Sequence, residues 1–448
     1  MDALTIEEFG RRLRAGQLTA SEVTESCLDR IETDAAGLNA FIHVMAGQAR
    51  SQAAAADREL GAGHDRGPLH GVPISIKDLV DVEGVPTTAA SRVREGHVAR
   101  ADAPIIANLR QAGAVFIGKT NLHEFAYGTT SEDSAFGLVR NPHDPTRSPG
   151  GSSGGSAASI AAGMALASIG TDTGGSIRIP AAACGTVGLK PGYGEVSADG
   201  VVPLARTLDH VGPIARTVTD AWLMYRAMLG ATDQRPLAPR SVTGLRLGIP
   251  RAYFCDLLDR EVRARFDAVI AALTKGGARV DEVDIRNAPS TAPVYLHIQA
   301  PEASAYHSSM LDASPERYTP TVRLRIEMGR YILAGDYIRA LGARDVLRQE
   351  VDAALGDRDA LVLPTMPIPA PTLGAESAVI DGANQPVRTL MLRLTQLFNV
   401  TGHPALSMPC GRTPDGLPVG LQLVGRRFET EALLAVGVAC ESLFQEAV

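Results

Sequence analysis

Gly71-Val-Pro-Ile-Ser-Ile-Lys-Asp78 is a short apolar run that starts at a glycine and ends on a lysine and an aspartate. Its length and its Gly/Pro boundary predict a buried strand rather than a turn of helix. Ala114-Val-Phe-Ile-Gly118 has the same texture. Further on, Leu245-Arg-Leu-Gly-Ile249, the helix-like Arg260 to Thr274 and Arg279-Val-Asp-Glu-Val283 read as strand, helix, strand. Such alternation predicts an α/β fold. Upstream, residues 1–65 read as a helical segment. There Thr5 with Glu8, and Thr19 with Glu22, have the spacing of capping boxes ahead of apolar positions, with Gly16 between them.

Composition narrows the class of protein. The chain has 448 residues, 45% of them hydrophobic, so a large core can be buried. Its 43 basic and 50 acidic residues give a net charge of -7 with no long run of either sign, which argues against a nucleic-acid surface. The five cysteines are scattered and never in C-x-x-C spacing, so no disulfide framework or zinc site is expected. No metal and no cofactor are called for. Acids near the N-terminus and the lack of a long apolar window predict a cytoplasmic protein with no membrane contact.

Two motif matches fail on their context. Gly113-Ala-Val-Phe-Ile-Gly-Lys-Thr120 fits the phosphate-loop pattern, but its β-prone interior belongs in a sheet rather than wrapped around an anion. Gly150-Gly-Ser-Ser-Gly154 fits the nucleophile elbow of α/β-hydrolases, yet Asp144-Pro-Thr-Arg-Ser-Pro149 cannot be the strand that elbow needs. The adjacent Asp209 and His210 would point apart and make no triad. Residues 148–170 are rich in Gly, Ser and Ala. Ile160, Met164, Leu166 and Ile169 recur there at roughly helical spacing, so the segment is read as a loop entering a buried helix.

What remains is a set of three motifs in order: Lys77 in Gly71 to Asp78, Ser152 in Gly150-Gly-Ser-Ser-Gly-Gly-Ser156, and Ser176 in Gly170-Thr-Asp-Thr-Gly-Gly-Ser-Ile-Arg-Ile-Pro180. Alone, Lys77 reads equally well as a strand-end lysine and Ser152 as a loop serine. Together they resemble the amidase signature family. The likeness continues through Cys184 to Pro191, Gly212 to Arg216, Leu363 to Thr365 and Gly402 to Pro409. It implies one domain over 1–448, its signature core at about 66–220, with a central mixed β-sheet covered by helices on both faces.

The resemblance also implies the chemistry. Ser176 would be the nucleophile, Ser152 the bridge and Lys77 the base, with a cis peptide at Gly151-Ser152. The amides of Thr173, Gly174, Gly175 and Ser176 would face the oxyanion, and Asp172 and Arg178 would hold the turn as an ion pair. A lysine acts as base only when neutral, so burial must lower its pKa from about 10.4 toward ~7 to 8. A serine hydroxyl can donate to one neighbour while accepting from another, as a bridge requires. Asp78 and Asp81 are read as solvated or capping residues, His123 and His403 as structural histidines, and Met164 as helix packing.

The substrate is expected to be a small amide, ester or carbamate, with Tyr127 and Gly128 among its contacts and residues 306–337 at the entrance. A homodimer is compatible with this reading. The alternative is the glutamine-hydrolysing component of a tRNA-dependent amidotransferase. Arg325 matches that component's position for the glutamine carboxylate. Leu392, however, occupies the place of the acid that grips the glutamine amino group.

Overall fold

In the computed structural model, which describes residues 4–34, 37–231, 235–238 and 240–445, the apolar runs become strands of one mixed sheet. The ends of the expected 1–448 domain lie outside the described residues. The strands are β1 (Phe41–Val44), β2 (Pro73–Lys77), β3 (Val115–Thr120), β4 (Ala167–Asp172), β5 (Val187–Lys190), β6 (His210–Ala215), β7 (Arg246–Pro250), β8 (Arg279–Val283) and β9 (Ala360–Pro364). β10 (Ser377–Ile380) and β11 (Ala383–Pro386) form a separate hairpin, and β12 (Ala405–Arg412) and β13 (Pro418–Val424) complete the set. The sheet order is β1-β3-β2-β4-β6-β5-β12-β13-β9-β7-β8. β2 runs parallel to both β3 and β4, and β7 to both β8 and β9. The remaining neighbours pair antiparallel. Helices cover both faces, so β2 to β6 are buried along their whole length. Because β5 pairs with β12, the sheet continues past residue 220 without a break.

The N-terminal segment departs from the helical reading at one place. Helices Ile6–Arg14, Ala20–Thr33 and Ala46–Gly61 form, but Phe41-Ile-His-Val44 is a strand that extends the sheet edge against β3. Aromatic and β-branched side chains suit that role. The capping box at Thr19 and Glu22 is complete, whereas at Thr5 only half forms because the Glu8 carboxylate turns to Arg11.

A second correction concerns residues 148–170. The helix there is only Gly154–Ala161, and Leu166 and Ile169 belong to the approach and body of β4 rather than to a helix. Met164 lies between the two. A strand buried on both faces shows no polar alternation, so its apolar residues imitate a helical period. The helix packs close: a Cβ on Gly155 would lie 2.3 Å from the Asn121 carbonyl oxygen.

Asp78 is not solvated. It is 1% exposed and ion-paired at 3.0 Å with Lys119, which also donates to Pro86 O and Thr87 Oγ1. The phosphate-loop lysine is therefore a structural charge inside the sheet. Removing one member of a buried pair strands the other. Lys119→Met is expected to lower unfolding free energy by about 3 to 5 kcal/mol in a urea titration. A change below about 1 kcal/mol would show that the pair is dispensable.

Candidate active site

Parallel pairing of β2 with β4 brings two strand C-termini to one edge of the sheet, where ligand crevices of α/β folds form. Lys77 ends β2. Thr171 and Asp172 end β4, and the turn Thr173-Gly-Gly-Ser176 follows at once. The Gly-Ser loop enters helix Gly154–Ala161 just above them. The Gly151-Ser152 peptide is cis. Ser152 O accepts from the His123 amide and from Ser131 Oγ, and the Ser153 amide donates to Ser176 O at 3.2 Å, which ties the two serine loops together.

Lys77 Nζ lies 2.8 Å from Ser152 Oγ, 2.8 Å from Ser153 Oγ and 2.7 Å from Thr171 Oγ1. Three hydroxyls match the three protons of an ammonium. A neutral amine keeps the set satisfied if one hydroxyl turns its proton toward nitrogen. Burial brings this lysine down from 10.5 to about 7, against the opposing charges of Asp172 and Asp209. Both protonation states are therefore accessible near neutral pH. Sequence reasoning named Ser152 but missed Ser153 and Thr171 as partners, although both stand inside the quoted motifs.

Ser176 Oγ has no hydrogen-bond partner among the described residues, so the expected Ser152–Ser176 link is not closed in this structure. The contact expected between Lys77 and Ser152 is present as a hydrogen bond.

Asp172 organises the turn. Its carboxylate accepts from the amides of Gly175 at 2.8 Å and Ile177 at 3.1 Å, and from Arg178 Nε and Nη2. Burial works to protonate it, but the Arg178 guanidinium, Lys190 and the Asn399 amide hold its pKa well below the carboxylate range. The predicted ion pair is present and extends further. Arg178 also donates to Thr395 O, Gln422 Oε1 and Asn399 Oδ1, and Thr395 Oγ1 donates to Gly174 O at 2.6 Å. Gly175 has φ +137, and a Cβ there would lie 2.3 Å from Thr395 Oγ1. Only glycine fits. The amide of Gly175, one of the expected oxyanion donors, donates to Asp172 in this structure.

Asp209 closes the other side. It accepts from Thr173 Oγ1 at 2.6 Å and from the amides of Leu204 and Ala205. Burial raises its pKa to about 6. His210 instead turns its ring to the Leu208 and Asp172 carbonyls, so this Asp-His neighbour pair makes no triad. A cavity of about 370 Å³ opens here, with Thr171, Thr173, Asp209 and Tyr193 in its wall.

The expected substrate contacts Tyr127 and Gly128 are not in the lining of this cavity. Tyr127 is 4% exposed, its carbonyl accepts from Arg325 Nη1 at 2.6 Å, and its ring has the Arg325 and Arg388 guanidiniums 6.0 and 5.9 Å from its centre. Gly128 backs onto His123: a Cβ there would fall 2.0 Å from His123 Nε2. His123 faces Asp133 at 3.2 Å, and burial lowers its pKa; His403 is buried between Thr401 and Asp352. Tyr295 and Leu392 close over the turn, since a Cβ on Gly174 would lie 2.8 Å from Tyr295 Oη and 3.3 Å from Leu392 Cδ2. Arg388 and Tyr295 carry no motif that could have announced them.

Residues 22–434 match the family model described as Amidase. The chain is 42% identical to an amidase of Pseudomonas putida over 98% of this chain and 95% of that one. It is 38% identical to the glutamyl-tRNA(Gln) amidotransferase component of the same family in Koribacter versatilis (strain Ellin345), over 98% of each. Among solved structures, a crystal structure of an amidase superposes with a TM-score of 0.93 at 38% identity, covering 98% of this chain and all of that one.

Proposed function

The chain belongs to the amidase signature family of amidohydrolases, and on that premise we propose that it cleaves small-molecule amides through an acyl-enzyme on Ser176. One observation carries the reading: a fully buried lysine with a pKa near 7 lies 2.8 Å from the hydroxyl of Ser152, at the strand edge from which the Ser176 turn begins. Neutral Lys77 takes a proton from Ser152 as Ser152 takes one from Ser176. Ser176 Oγ then bonds to the amide carbon, and the carbonyl oxygen becomes an oxyanion. With the Gly175 amide engaged by Asp172, the donors for that charge are the amides of Thr173, Gly174 and Ser176. Return of the proton along the same hydroxyls neutralises the departing nitrogen, and the C–N bond breaks. Water, deprotonated by the same relay, then splits the ester. These side chains complete the cycle with no metal or cofactor.

Trapping tests the nucleophile. Phenylmethylsulfonyl fluoride should modify the enzyme once, and peptide mapping by mass spectrometry should place the adduct on Ser176. An adduct on Ser152 instead would overturn the assignment.

The amidotransferase relatives support a second reading, a glutaminase that hands ammonia to partner proteins. Leu392 weighs against it, because an apolar side chain over Gly174 offers nothing to an α-ammonium. Release of ammonia from L-glutamine by the isolated chain, faster than from simple primary amides, would favour this alternative.

A further inference from the structure

The cavity of about 370 Å³ borders the relay without containing the nucleophile. Thr171 and Thr173 stand in its wall, and Thr171 Oγ1 is 2.7 Å from Lys77 Nζ, the nitrogen that also bonds Ser152. Ser176 is not in the lining. In the acyl-enzyme cycle the acyl half of a substrate stays on Ser176, whereas the departing nitrogen recovers its proton from Ser152, the hydroxyl bonded to Lys77. The amine half is therefore the part that this cavity can take.

Its polar wall is set up to accept hydrogen bonds. His210 is 4% exposed, and its Nδ1 faces two carbonyl oxygens, Leu208 at 2.7 Å and Asp172 at 3.2 Å. Nδ1 must then carry the proton, which leaves Nε2 a bare acceptor. That Nε2 is buried with no hydrogen-bond partner among the described residues. Burial, with the charge of Lys190 acting in the same direction, pushes the pKa of this ring well below 6.5, so the imidazole is neutral. Asp209 has no cation within ion-pair distance among the described residues, and burial raises its pKa to about 6; above that pH it is an anion without an ion-pair partner. Asp199 adds a carboxylate at the exposed rim, where Arg206 is the one cationic side chain of the lining. The hydroxyls of Thr173 and Tyr193 already donate, to Asp209 and to the Arg206 carbonyl. A buried acceptor and a buried charge both cost free energy until a donor meets them.

We propose that this cavity holds a leaving amine that carries a second, protonated nitrogen, so that the enzyme releases short alkyl diamines from their mono-N-acyl derivatives. An ammonium brings three donors and no acceptor, which matches a wall that offers a carboxylate and a bare imidazole nitrogen. Leu79, Val202 and Val211 supply apolar surface for the methylenes between the two nitrogens. In the reaction the acyl carbon bonds to Ser176 Oγ, the C–N bond breaks, the leaving nitrogen takes its proton from Ser152, and water frees the carboxylic acid. The distal ammonium only binds. The inference rests on the amidase reading and names its substrate class.

The test uses the whole enzyme at about pH 8, where Asp209 is ionised. Substrates are the mono-N-butanoyl derivatives of diaminopropane, putrescine and cadaverine, set against N-pentylbutanamide, the neutral counterpart of the putrescine amide. The best diamine amide should exceed N-pentylbutanamide in kcat/KM by on the order of 10- to 100-fold. Asp209→Asn should slow N-pentylbutanamide modestly, through the Thr173 turn, and the diamine amides much more, chiefly through KM. Equal slowing of both would leave Asp209 a purely structural acid and overturn the cation site. Val201→Phe, which narrows the cavity, should slow the diamine amides far more than butanamide, whose leaving group is ammonia. Calorimetric titration of Ser176→Ala with putrescine and cadaverine needs no turnover, and so separates this site from the amidase reading. Binding that is lost in Ser176→Ala/Asp209→Asn supports the site even if no amide is cleaved. Cleavage of N-pentylbutanamide at least as fast as every diamine amide, or no diamine binding, overturns the site and leaves the amidase reading standing.

Discussion

Ser176→Ala is expected to lower kcat by roughly 10⁴- to 10⁶-fold while leaving the fold intact. The side chain is 7% exposed and makes no hydrogen bond among the described residues, so alanine leaves no buried partner unsatisfied and only a small void. Denaturant midpoints of the variant and parent should therefore agree closely. Ser152→Ala reaches the same function by a different route, since it removes the hydroxyl 2.8 Å from Lys77 and interrupts the relay rather than removing the nucleophile. If the relay acts as one unit, Ser152→Ala and Lys77→Ala should each cost several orders of magnitude. The double variant should then be little worse than the worse single one. Multiplicative losses would show that the two residues act separately. Activity in Ser176→Ala near that of the parent would remove the acyl-enzyme altogether.

The parts of this site legible in the sequence are those whose chemistry and backbone demands coincide in one short stretch. A serine after two glycines, a second Gly-Ser loop and a lysine closing an apolar run each expose a reactive group with the turn that presents it. The strand-helix-strand unit from Arg246 to Val283 was legible for a similar reason, since its period changes cleanly along the chain. What sequence could not supply depends on approach across the fold. Asn399, Thr395 and Gln422 brace Arg178 and the Ser176 turn from more than 200 residues away. Asp78 looks like a loop acid until β2 and β3 pair and set Lys119 beside it. β4 was hidden because it is buried on both faces along its whole length, which removes the polar alternation that marks a strand. Arg388 is one arginine among many until Tyr127 and Arg325 are placed next to it.

The pH dependence of kcat/KM should show an ionisation near 7, with activity rising as pH increases and level above it, because Lys77 must be neutral to accept a proton. The value belongs to a coupled set of lysine and hydroxyls rather than to nitrogen alone. Lys77→Ala should remove this limb together with most of the rate. A second group titrates nearby, since burial holds Asp209 at about 6, and its ionisation would give a limb of the same sign. Asp209→Asn separates them. The Asp209 charge favours the ammonium form of Lys77, so deleting it should move the Lys77 limb to lower pH while the limb itself persists. If Asp209 were the base, the same substitution would abolish the limb instead. Thr173 adds a consequence at higher pH: with asparagine in place of the carboxylate, its 2.6 Å hydrogen bond loses its charge assistance. The plateau rate should fall modestly, by about tenfold or less, through a less firmly held oxyanion turn. A downward shift of the limb with a slightly lower plateau fits lysine as the base, and a flat profile at greatly reduced rate does not.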